Sequence, residues 1–148
     1  MLRLSKKSDY ALMAMKHLAI DSGCRHASAR SIAQCYGVPP QLMAKILQRL
    51  ARKGLLQSQH GSRGGYELAR KPSSISVLDV IQAIDGPFGL TACSAADRRC
   101  AQFRSCSVRD PLWQIRDRIV QALRTFSIFD LATEAIFPRM TIRTASRK

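Results

Sequence analysis

Apolar positions first recur along this chain at helical spacing. Leu12, Met15, Leu18 and Ala19 follow three- and four-residue steps, which predicts a helix from about Ser5, a good N-cap residue, to Ile20. These four side chains are expected to face the core. Asp21 to His26 reads as a loop, with Gly23 as a helix terminator. A second helix is expected after Ser28, ending near Tyr36-Gly37. A third starts at Pro39 or Pro40, because proline suits a first helical turn, and runs to about Lys53, where Gly54 ends it. Its stripe of Leu42, Met43, Ile46, Leu47 and Leu50 is apolar.

The pattern then changes. Leu55 to Ser58 and Tyr66 to Leu68 read as short strands around the glycine-rich stretch from Gln59 to Gly65, a hairpin signal. Ser76 to Asp85 reads as a short helix, with Ser76 and Asp79 resembling a capping box and Gly86-Pro87 ending it. Residues 86–107 show no sustained periodicity. A longer helix is expected from Pro111 to about Phe126, with Asp110 as its N-cap. Leu112, Ile115, Ile119, Ala122 and Phe126, with Trp113, Val120 and Leu123 beside them, give it more apolar surface than one small domain needs. That surplus points to a homodimer interface. Ser127 caps a last helix through Ile136, and a basic tail follows.

The expected fold is mainly α with a small β-hairpin wing. Residues 1–85 form a winged helix-turn-helix, 86–107 a cysteine-bearing loop, 108–136 the long and final helices, and 137–148 a disordered tail. On the third helix Gln41, Lys45, Gln48 and Arg49 are long donors suited to the major groove. Ser28, Arg30, Ser31 and Arg52 suit phosphates. His60 and Arg63, near the wing tip, suit a narrow minor groove.

Charge strengthens this picture. The chain has 148 residues and a formal charge of +14, from 24 Lys and Arg against 10 Asp and Glu. Such a surplus favours a polyanion through counterion release, and double-stranded DNA is the expected partner. No stretch has the roughly 18 consecutive apolar residues of a membrane span. The N-terminus lacks a signal-peptide pattern, which predicts a cytoplasmic protein with reduced thiols. The chain displays neither a Ser/His/Asp nor a paired-carboxylate constellation, and His17, His26 and His60 are scattered, so no enzyme is expected.

Cys93, Cys100 and Cys106 are spaced C-x6-C-x5-C. Arg98, Arg99, Arg104 and Arg109 surround them and favour the thiolate, the species that binds metal. Three readings stay open on chemistry alone: an iron–sulfur cluster, which normally needs a fourth ligand from elsewhere; zinc, which usually shows paired C-x2-C steps; and a thiol redox switch. A small iron–sulfur electron carrier would leave the basic wing without a purpose. Cys35 is expected to be a small buried apolar residue, and Cys24 to lie in a loop without a partner.

The opening MLRLSKKSDYAL, the wing KGLLQSQHGSRGGYELAR, the helix ISVLDVIQAIDGP, the three cysteines and the helix near Trp113 together resemble the Rrf-2 type of bacterial winged-helix regulators. The likeness extends to about Ile136. The opening and the TACS…CSVR segment are most similar to the branch that regulates the Suf cluster-assembly operon. The resemblance implies a homodimer joined through the long helix, carrying a [2Fe-2S] or [4Fe-4S] cluster, the first preferred, on Cys93, Cys100 and Cys106. The biogenesis regulators of this family carry a His ligand where this chain has Arg109, which cannot serve. The nitric-oxide-sensing branch uses an Asp at the position of Asp9, the candidate fourth ligand here. The function implied is a repressor of iron–sulfur assembly genes, with a nitric-oxide- or redox-responsive regulator and a cluster-free thiol regulator as alternatives.

Overall fold

A computed structural model describes residues 3–20, 26–61, 64–91 and 100–133. Expectations for Gly23, Cys24, Arg63, Cys93, Arg98, Arg99 and the chain beyond Thr133 lie outside these residues.

The order is α1 (Lys6–Ile20), α2 (Ala29–Tyr36), α3 (Pro40–Arg52), β1 (Leu56–Gln59), β2 (Gly65–Leu68), a 3-10 turn at Pro72–Ser74, α4 (Val77–Asp85), α5 (Arg109–Thr125) and α6 (Ile128–Thr133). Local chemistry explains most boundaries. The Ser8 amide donates to Ser5 Oγ at the start of α1 (3.1 Å). Ser28 Oγ accepts from the Ser31 amide at 3.0 Å, and Gly37 ends α2 at φ 63°, a left-handed conformation that suits glycine. Pro40 opens α3. Ser76 and Asp79 form the reciprocal capping box of α4.

Two features of the helices differ from expectation. α5 begins at Arg109, two residues before Pro111, and Val108 occupies its capping position without a side-chain bond. Asp110 therefore lies in the first turn, where its carboxylate accepts from Arg109 Nε at 2.7 Å. That bond holds its pKa below the ordinary carboxylate range, partly opposed by desolvation. On α1 the fully buried positions are Ser8, Ala11, Ala14 and Met15, while Leu12, Leu18 and Ala19 pack partly buried around them. Small side chains face inward because α1 packs against α3, α4 and α6.

The core joins Met15 of α1, Ile32 of α2, Met43, Leu47 and Leu50 of α3, and Ile75 and Val80 around α4. Ile128 is also fully buried there. Strand-like bonds bring it in: Val77 N donates to Phe126 O and Ile128 N to Ile75 O, both at 2.8 Å. Thus α6 closes the core of the winged domain rather than trailing behind α5.

β1 and β2 pair antiparallel, Leu56 opposite Leu68 and Gln59 opposite Gly65. Ala27 and Tyr66 exchange two backbone bonds (3.1 and 2.9 Å), fixing the hairpin to the start of α2. A Cβ at Gly65 would lie 2.6 Å from the Ala27 carbonyl oxygen, so only glycine permits this approach.

Candidate nucleic-acid interface and cysteine segment

Gln41, Lys45, Gln48, Arg49 and Arg52 are all exposed on α3, opposite buried Met43, Leu47 and Leu50. Ser28, Arg30 and Ser31 are exposed at the start of α2, and His60 at the end of β1. Ser28 Oγ is an acceptor in the α2 cap, which leaves its hydroxyl proton available to an external oxygen. The Ala27–Tyr66 bridge ties β2 of the wing to the chain just before α2 of the helix-turn-helix.

Lys7, in the first turn of α1, was absent from the sequence reading of this face. It lines a groove of about 370 Å³ with Lys45, Gln48, Arg49 and Arg52 of α3. Nothing local in the sequence marks it, since the approach of α1 to α3 is a tertiary contact. Arg49, though exposed, also bonds inward: its Nε donates to the Ala83 carbonyl of α4 at 2.9 Å.

Cys35 is exposed, not buried as expected. On α2 the inward face is set by Ile32 and Ala33, and at about 100° per residue Cys35 falls well away from its centre. Its neighbour Tyr36 has its pKa raised, first by burial and then by the adjacent Cys35.

Cys100 is exposed and Cys106 half-buried, both free thiols, in the turns that run into α5. Arg109 holds these turns against the helix. Its Nη1 donates to the Phe103 carbonyl at 2.7 Å, and its guanidinium lies 4.8 Å from the Phe103 ring centroid and 5.6 Å from that of Trp113. Arg109 is thus a staple between the turns that carry Cys100 and Cys106 and α5. Asp9 is half-buried in the first turn of α1. Among the described residues no group of three or more metal-ligating side chains converges; Cys93 is not among them. Exposed Cys100 and half-buried Cys106 offer two thiols, the donor type that iron–sulfur centres use.

The chain matches the Rrf2 model, described as an iron-dependent transcriptional regulator, over residues 4–134. It belongs to the Rrf2 family. A Mycobacterium tuberculosis protein named as an HTH-type transcriptional regulator is 41% identical over 86 residues, covering 58% of this chain and 53% of that one. The chain therefore spans about half the length of the first curated relatives that it matches. The structure of CymR, the global cysteine regulator of B. subtilis, superposes with a TM-score of 0.73 at 30% identity, covering 90% of this chain and 98% of that one. The IscR structure from T. potens gives 0.71 at 28% identity, covering 90% and 88%.

This Rrf2 chain therefore has the winged-helix fold, mainly α with one antiparallel hairpin, as expected from sequence. Among its described residues no helix is long and apolar enough to cross a membrane.

Proposed function

We propose that this Rrf2 regulator is a cytoplasmic, homodimeric repressor of iron–sulfur cluster assembly genes, of the Suf-regulating branch, whose operator affinity depends on an iron–sulfur cluster. The observation that carries the reading is the Arg109 staple: it joins the segment bearing Cys100 and Cys106 directly to the first turn of α5. Cys93, Cys100 and Cys106 would hold the group, with Asp9 of the partner subunit as fourth ligand and the [2Fe-2S] form preferred. When bound, the cluster supplies a cross-link that oxidants, nitric oxide or iron shortage can remove. The residues of the chain do the rest. Arg109 transmits the position of the cysteine segment to α5. The exposed apolar side chains of α5 pair the two subunits, and their alignment sets the separation of the two α3 helices. Operator affinity then changes by the difference in free energy between the two arrangements.

On DNA, Gln41, Lys45 and Gln48 enter the major groove. Ser28, Arg30, Ser31 and Arg52 hold phosphates, while His60 and Arg63 of the wing approach the minor groove. Arg52→Ala should weaken binding to every operator alike and lower the salt slope by about one unit, measured by titration across ionic strengths. A loss confined to one base position would assign Arg52 to base reading instead.

Anaerobic purification with iron and sulfide analysis, followed by gel shifts of holo and apo protein, tests the proposal. The expected result is stoichiometric iron and sulfide and a difference in operator affinity on the order of 5- to 150-fold. Equal affinities would defeat the switch. A thiol-based regulator without a cluster is the second reading, favoured by the exposed Cys100 thiol and by likeness to CymR. Protein lacking iron and sulfide, yet altered in DNA affinity by mild oxidation, would establish it.

A further inference from the structure

The last turn of α4 is bonded to two other helices at once. Its Ala83 carbonyl accepts from Arg49 Nε of α3 at 2.9 Å. Two residues on, the Asp85 carboxylate accepts from Ser5 Oγ, just before α1, at 2.7 Å and from buried Ser8 Oγ, within α1, at 2.8 Å. Gly86, at φ 87°, then turns the chain directly into the segment that leads to the cysteines.

Arg49 differs from its neighbours on α3 in where it points. At about 100° per residue, Lys45 and Arg52 lie in the middle of the exposed stripe, while Gln41 and Gln48 lie on one flank. Arg49 lies on the other flank, beside Leu42 and Ile46, which line the groove shared with Ile84 of α4. An arginine there can leave the DNA face and bond the neighbouring helix, and it does so.

We propose that Arg49 is a positioning residue rather than a base reader: through Ala83 it locks the recognition helix to the C-terminal turn of α4, the turn that opens into the cysteine segment. The proposal rests on the DNA-binding reading but not on the presence of a cluster. It also reassigns the one α3 arginine that the sequence alone placed in the major groove.

The bond can be tested through side-chain length. Glutamine places its amide nitrogen the same number of bonds from the backbone as arginine Nε, without charge. Lysine keeps the charge but puts its donor one bond further out. The ligand is a duplex selected by the wild-type chain from a random-sequence library. Arg49→Met should lower affinity roughly tenfold, the scale of one charge-assisted hydrogen bond. The loss should be uniform over a panel of single-base variants, with the salt slope unchanged. Arg49→Gln should return to within about threefold of wild type, and Arg49→Lys should not.

Four results would overturn the proposal: wild-type affinity in Arg49→Met; a loss confined to one base pair; a salt slope lowered by about one unit; or rescue by lysine and not by glutamine. Thermal unfolding of each variant accompanies the titrations, and Arg49→Gln preserves the test if Arg49→Met does not fold. A wild-type chain that selects no duplex at all would instead defeat the DNA-binding reading.

Discussion

Replacing Cys93, Cys100 and Cys106 together by serine is expected to abolish iron and sulfide binding and, with it, any difference in operator affinity between anaerobically reconstituted and untreated protein. The serine hydroxyl stays protonated at neutral pH and is a poor substitute for the soft thiolate that iron–sulfur centres require. The fold should survive. Cys100 is exposed and Cys106 half-buried, and neither belongs to the buried cluster around Met15, Leu47 and Ile128. The thermal midpoint should therefore move little, whereas a coupling on the order of 1–3 kcal/mol should vanish. Iron and sulfide analysis with parallel gel shifts reads both. In cells, promoter output should no longer distinguish iron-replete from iron-starved cultures. Unchanged iron content in the triple variant would remove these residues from the site.

Ile115→Asp should break the dimer. Among the helices longer than six residues, α5 alone buries no side chain fully in the described chain, and Ile115 is 48% exposed on it. A substitution there costs the isolated subunit little. In a two-fold interface each subunit loses the burial of one isoleucine, about 1.5–3 kcal/mol, and each must also desolvate a carboxylate. The dimer dissociation constant should rise by about a hundredfold or more, at roughly 1.4 kcal/mol per tenfold. Operator affinity should fall by about two to four orders of magnitude as the linked second half-site is lost. Sedimentation velocity and DNA titration measure the two effects. A variant that remains a dimer of wild-type strength would put the subunit contact on another face.

The features legible in the sequence are those set by near neighbours along the chain. The Ser76–Asp79 capping box, Pro40 at the start of α3 and Gly37 after α2 each act within a few residues, so reading them in order suffices. The hairpin followed from strand-forming residues around Gly61, Gly64 and Gly65. The exposed donors of α3 followed from helical period, since Met43, Leu47 and Leu50 leave only one face for them. Predictions failed where the outcome depended on a distant partner or on an end effect. Cys35 was expected inside on residue type, yet Ile32 and Ala33 already define the inward face of α2. Asp110 was expected to cap α5, but Arg109 captures its carboxylate within the first turn.

By itself the sequence determined the helices, the hairpin and the exposed polar face of α3, because hydrophobic period, caps and turn residues are local and additive along the chain. Only the tertiary structure decided that α6 returns Ile128 to the core, that Lys7 joins the α3 groove, that Arg49 binds α4, and that Arg109 staples the cysteine turns to α5. Those contacts join positions far apart in the chain or turn on the direction a single long side chain takes. Their free energies come from which surfaces meet, and no periodicity in the sequence records that.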